Sequence, residues 1–159
     1  MSSRRLLLLV FIVGLVGGVI GYALTNYVVV LNLKTVDPVD WGSIKREVNL
    51  YIAPGQTLNI NEYLGQIHQR SDRVRYCISV EGNLSSYKVM LRLFSLYATS
   101  QEAYAVATPA ECICATIAKK STDTNEIPID LTLQGWIKAR VNAKGVEQVK
   151  ITITAEPQP

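Results

Sequence analysis

The sequence predicts an all-β fold, an antiparallel β-sandwich, preceded by one N-terminal transmembrane α-helix. Three observations carry this reading. The first is the uncharged run from Leu6 to Leu33 behind a Met1-Ser2-Ser3-Arg4-Arg5 start, which exceeds the roughly 20 residues needed to cross a bilayer core. The second is the alternation of apolar and polar residues over most of the chain after Lys34, the period that sends successive side chains to opposite faces of a strand. The third is turn chemistry from Gly, Pro, Asn and Asp, recurring roughly every 8 to 12 residues as in sandwich domains.

The first element is the span. Residues 1–33 read as a membrane anchor, 34–43 as a tether containing Pro38 and Gly42, and 44–156 as the β-domain. A short basic start before an apolar run has the order of a secretory signal, so the domain is expected outside the cytoplasm with Arg4 and Arg5 inside. Tyr22 and Tyr27 then fall near the outer interface, where amphipathic rings are favoured. A cleaved signal peptide is the alternative: Gly21 and Ala23 supply the small residues of a cleavage site, and the β-branched stretch Asn26 to Val36 then becomes a first strand. In the retained case Gly14, Gly18 and Gly21 form a stripe along which a second helix approaches closely, a helix-contact seam for a protein partner or a homo-oligomer within membrane lipid.

Beyond the tether, Val48, Leu50 and Ile52 share one face, Ala53-Pro54-Gly55-Gln56 turns the chain, and Leu58 and Ile60 resume the period. Asn61 to Gln69 reads as briefly helical. Val74, Tyr76, Ile78 and Val80 make the next strand, ended by Glu81-Gly82-Asn83, and Tyr87, Val89, Leu91 and Leu93 the one after. Ala98 to Glu111 lacks a clear period. Further strands are expected at Cys112 to Ile117, Ile127 to Leu133, Ile137 to Val141 and Val149 to Ile153, with Asn142-Ala143-Lys144-Gly145 as the turn between the last two.

The stretches Ile52 to Leu58, Gly135 to Val141 and Val149 to Ile153 resemble immunoglobulin-like and jelly-roll domains of microbial, especially archaeal, surface proteins. That resemblance lies in strand-and-turn grammar. It implies a sandwich fold and carries no functional site with it.

Composition narrows the function. The 159 residues carry a formal net charge of +3, spread so thinly that neither Arg70-Arg73-Arg75 nor Lys119-Lys120 makes the basic, aromatic-interleaved face of a nucleic-acid binder. Asn83-Leu84-Ser85 is a glycosylation sequon, in keeping with an exterior domain. His68 is the single histidine, and no nucleophile elbow, zinc helix or phosphate loop accompanies it, so no catalytic residue and no cofactor is expected. Cys77, Cys112 and Cys114 are the chemically distinctive side chains. On strands, Cys112 and Cys114 share a face opposite Ile113, Ala115 and Ile117, and Cys77 opposes Tyr76 and Ile78. One disulfide from Cys77 to Cys112 or Cys114 follows, with a spare thiol; the rival use of the three sulfurs, with His68 or Met90, is a copper or redox centre.

The function expected is therefore non-enzymatic: a structural or protein-interaction role in the cell envelope, or as an accessory subunit of a membrane complex. A secreted or pilin-like filament subunit is the alternative, since an apolar N-terminal segment before a β-domain resembles archaeal pilins, although Arg5 precedes Leu6 where such proteins carry a small residue.

Overall fold

Where apolar and polar residues alternate, the chain is strand. The computed structural model describes residues 37–159, which hold ten strands and no helix: β1 (Val39–Asp40), β2 (Glu47–Ile52), β3 (Thr57–Gln69), β4 (Arg73–Glu81), β5 (Leu84–Phe94), β6 (Glu102–Ala107), β7 (Cys112–Ile113), β8 (Ala115–Ala118), β9 (Ile127–Ala139) and β10 (Glu147–Pro157). The apolar run and its glycines Gly14, Gly18 and Gly21 lie outside the described residues.

All pairings are antiparallel and they build two sheets, one in the order β1-β3-β9-β5-β6-β7 and one in the order β2-β10-β4-β8. Each sheet turns one face inward. The larger contributes Ile67, Val89, Leu91, Leu93, Ile129, Leu131, Leu133 and Ile137, the smaller Val74, Tyr76, Ile78, Ile117, Ile151 and Ile153, all buried in one apolar core. Burying each such side chain contributes about 1.5–3 kcal/mol before chain entropy is charged against it. The arrangement is sandwich-like.

Several elements differ from the sequence expectation. Asn61 to Gln69 is strand rather than helix: it pairs along β9, with a slip between Tyr63 and Gly65. At this bulge Gly65 has φ +124°, and the slip breaks the period of two, so that Ile60, Leu64 and Ile67 reach the core at steps of four and three that imitate a helix. β9 runs unbroken through Gly135, a glycine required not by a turn but because the Lys88 carbonyl occupies the place of a Cβ. The aperiodic stretch contains β6, whose core-facing residues Ala103, Ala105 and Ala107 are too small to mark a face by hydrophobicity. Within the expected tether, Val39 pairs with Gln69 and Val39 and Trp41 are buried, so the domain begins before residue 44. Arg46 lies over the Trp41 ring, 4.9 Å from its centroid, and bonds to Asp37 at 2.8 Å, fixing this entry stretch to the start of β2.

The turn after β2 and the turn after β9 reverse the chain but also carry it to the other sheet. β2 pairs with β10, not β3, and β9 pairs with β3 and β5, not β10. One flank is closed by a strand that changes sheets: β7 pairs with β6 in the larger sheet, β8 pairs with β4 in the smaller, and Cys114 alone separates them. The opposite flank presents β2 and the β1–β3 margin.

Candidate interaction surface

The outward faces of the two sheets differ in chemistry. On the smaller sheet the outward rows read Glu47, Thr152, Ser79; Asn49, Lys150, Glu81; and Glu156, Arg75, Thr116. This is a solvated face of hydroxyls and charges, with Lys150 and Glu47 paired at 2.8 Å. Tyr51, next to Gln148, is its single aromatic.

On the larger sheet one cross-strand row runs Asn61, Gln134, Met90, Val106, Ile113. It is flanked on one side by Trp136 and Lys88 and on the other by Tyr63, Thr132, Arg92 and Tyr104, then by Asp130, Phe94 and Glu102. Trp136, Tyr63, Tyr104 and Ile113 are all exposed. An apolar-aromatic centre ringed by polar groups is the composition of a recognition patch rather than of ordinary solvated surface.

Two tyrosine rings on this face are held at their polar ends. Tyr63 donates its hydroxyl to Asp130 at 2.9 Å, and Tyr104 donates to Glu102 at 3.0 Å. The hydrogen bond to the Asp130 carboxylate raises the Tyr63 phenol above its ordinary pKa, since losing the proton would set two negative oxygens together. Arg92 is ion-paired with Glu102, and its hydrogen bond, helped by that of Tyr104, holds the Glu102 carboxyl below the usual range. Asp130 also accepts from Gln66 at 3.1 Å. A pre-ordered face of this kind loses little side-chain entropy on being covered.

The cysteines resolve differently. Cys77 is bonded to Cys114, with Cα atoms 4.4 Å apart, and Cys112 is free and exposed. Cys112 and Cys114 do not share a face. Cys112 is paired with the core-facing Ala107, whereas Cys77 points away from the core between the buried Tyr76 and Ile78 and meets Cys114 there. The alternation breaks where the strand passes between sheets, and the Cys112 thiol donates instead to the Ile78 carbonyl at 3.1 Å. Two of the three sulfurs expected for a copper or redox centre are therefore bonded to each other, and Met90 stands in the outer row described above. Among the described residues no group of three metal-ligating side chains comes together. His68 is half-buried on β3, opposite Asp40 and Pro128.

Asn83 is exposed in the turn between β4 and β5, where a glycan would meet no obstruction from the core, and Ser85 of the same sequon donates to the Lys138 carbonyl. An open groove of about 480 Å³ lies between the margins of the sheets, lined by Ile44, Lys45, Val48, Asn49, Glu62 and Leu64 among others.

Sequence reasoning did not single out Trp136, Val106, Ile113 or Tyr104. No local pattern marks them, because strands distant in sequence supply them and only the register sets them side by side. No family model matches the chain, and no curated protein matches it in sequence.

Proposed function

We propose that this is a membrane-anchored, extracytoplasmic β-sandwich protein, of immunoglobulin-like or jelly-roll type, whose role is structural or interactive: a component of the cell envelope or an accessory subunit of a membrane complex. The observation that carries the interactive part is the contrast between the two outward faces. One is hydroxyl-rich and charged, while the other gathers Trp136, Met90, Val106, Ile113 and Tyr104. The Cys77–Cys114 bond supports an oxidising, exterior compartment, and the uncharged run from Leu6 to Leu33, being long enough to span, supports retention at the membrane. The role needs no chemistry at His68 or the cysteines.

Radical footprinting on intact cells tests the reading. Measured against the denatured chain, Trp136 and Met90 are expected to be shielded well beyond their own burial, and Tyr51 on the other sheet is not. Protease added outside the cells is expected to remove residues 38–156. Trp136 reacting as freely as Tyr51, or a domain fully protected from an active protease, would sink the proposal.

A further inference from the structure

The chain enters the domain at one end of the sandwich. β1 pairs antiparallel with the last residues of β3, Val39 opposite Gln69, so Pro38 and Asp37 lead out past that end of β3 along the strand direction. The Pro38 carbonyl accepts from the backbone of Arg70 at 2.9 Å, and Asp37 is held by Arg46 at 2.8 Å. The backbone is therefore clamped from Asp37 onward. The same end gathers the β3–β4 turn, the β5–β6 turn and the stretch before β9, tied by backbone bonds from Lys119 to the Asp72 carbonyl and from Lys120 to the Tyr97 carbonyl, both 2.9 Å. At the tip of the β5–β6 turn, where Ala98 donates back to the Ser95 carbonyl, Leu96 and Tyr97 follow one another, each more than half exposed. The Lys120 ammonium fixes this tip by donating to the Leu96 carbonyl at 2.8 Å.

We propose that this end rests on the outer leaflet of the bilayer that holds the anchor, with Leu96 and Tyr97 seated at the level of the lipid headgroups. The inference rests on the membrane-anchored reading and adds an orientation to it. At helical rise the uncharged run Leu6 to Leu33 reaches about 42 Å, the thickness of a bilayer with its headgroup layers. The links from Leu33 to Asp37 then span at most about 14 Å, whereas β9 alone is about 40 Å long. The opposite end, where Val141 and Val146 are exposed in the turn between β9 and β10, is thus out of reach of the lipid. A tyrosine ring, apolar with a polar tip, favours the headgroup level, and the neighbouring leucine buries apolar surface beside it. Charges of both signs mix at this end, Arg73 and Lys120 beside Asp72, Asp123 and Glu126, so the seat has no preference for anionic lipid. Two apolar side chains suffice because the anchor makes the contact intramolecular. The strands then stand end-on to the membrane, and the outward faces of both sheets stay open at the sides.

The test uses the full chain with Cys112→Ser, reconstituted in phosphatidylcholine vesicles and carrying an environment-sensitive fluorophore on Tyr97→Cys or on Val141→Cys. The label on Tyr97→Cys is expected to shift to the blue and to be quenched by lipid spin-labelled at the headgroup. The label on Val141→Cys, also at an exposed apolar site, is expected to show neither effect. Adding Leu96→Asp to Tyr97→Cys is expected to abolish both, and salt at about 1 M, with a screening length of about 3 Å, is expected to leave both in place. Leu96, Tyr97 and Val141 are all exposed, so the fold tolerates each change. A Tyr97→Cys label as wet as the Val141→Cys label, equal quenching at the two sites, quenching that survives Leu96→Asp, or quenching lost in high salt overturns the seating. Alkaline washing of the vesicles separates the two readings. A chain that stays with the lipid while its Tyr97→Cys label is wet keeps the anchor and loses the seat alone; a chain that washes off loses both.

Discussion

Tyr76 donates its hydroxyl to Oε1 of Gln69 at 3.1 Å, and both side chains are fully buried although they belong to different sheets. Gln69 spends its amide hydrogens on the carbonyls of Ser71 (2.9 Å) and Ile117 (3.1 Å), so every polar atom of the pair is satisfied inside the core. Tyr76→Phe removes the donor and leaves a buried amide oxygen unpaired, which costs about 1–3 kcal/mol. Urea unfolding at neutral pH measures it. Burial pushes the Tyr76 phenol well above its ordinary pKa. A folded-state value raised above the unfolded one means that the stabilisation is intact below the unfolded pKa of about 10 and is lost as pH rises beyond it, at up to about 1.4 kcal/mol per pH unit. The parent is therefore expected to lose stability above pH of about 10 more steeply than Tyr76→Phe.

The disulfide closes a long loop, with Cys77 and Cys114 separated by 37 positions. Restricting the unfolded chain by a loop of that size contributes about 4 kcal/mol. Replacing both cysteines by alanine is expected to lower the guanidinium midpoint accordingly. Cys112→Ser, at an exposed thiol with one hydrogen bond, is expected to move it little.

Gly135→Ala sets a methyl group against the Lys88 carbonyl oxygen at a φ of +129°. Backbone strain and overpacking together are expected to cost about 2–4 kcal/mol. Gly145→Ala is the control, because nothing lies within 4 Å of its added carbon. Thermal unfolding of the two variants compares them directly, and equal midpoints would refute this account of β9.

Lys119 is almost wholly covered, its side chain 3% exposed, and its ammonium donates to the carbonyls of Arg70 (2.6 Å), Thr124 (3.0 Å) and Asn125 (3.0 Å) with Asp72 at 3.6 Å. One charge thus ties the polar stretch before β9 to the turn between β3 and β4. Lys119→Met keeps the stem and removes the bonds, which is expected to cost about 1–3 kcal/mol. It should also speed hydrogen exchange and proteolytic nicking across residues 121–126, and unchanged exchange there would contradict the assignment.

The strands were legible wherever burial on one face imposes a period of two: β4, β5 and β10 lie close to the spans expected, and the outward facing of Cys77 pointed to its bond with a later cysteine, although the shared facing expected of Cys112 and Cys114 fails where the strand changes sheets. What turn residues do not encode is destination. Ala53-Pro54-Gly55-Gln56 reverses the chain equally well within a sheet or between sheets, and only the pairing of β2 with β10 decides. Three further features were hidden for separate reasons. The Gly65 bulge scrambles alternation locally, β6 faces the core with alanines, and Gly135 looks like a turn although it answers to a carbonyl on the neighbouring strand. The outward patch was not legible, since Trp136, Met90, Val106 and Ile113 come from four strands and look unremarkable in each.

The strand that crosses from one sheet to the other at Cys114 makes the two flanks of the domain unequal. Head-to-tail growth by strand addition needs a donor margin and an acceptor margin on every subunit, so that each newcomer offers a place for the next. Here one margin is a crossing strand of short paired runs, two residues in β7 and four in β8, with a covalent stitch, whereas the side bearing β2, β1 and β3 offers a six-residue run of backbone in β2. Edge pairing through the crossing strand is therefore shorter than through β2. In a domain crowded at high local density, this asymmetry acts as a brake on fibre formation.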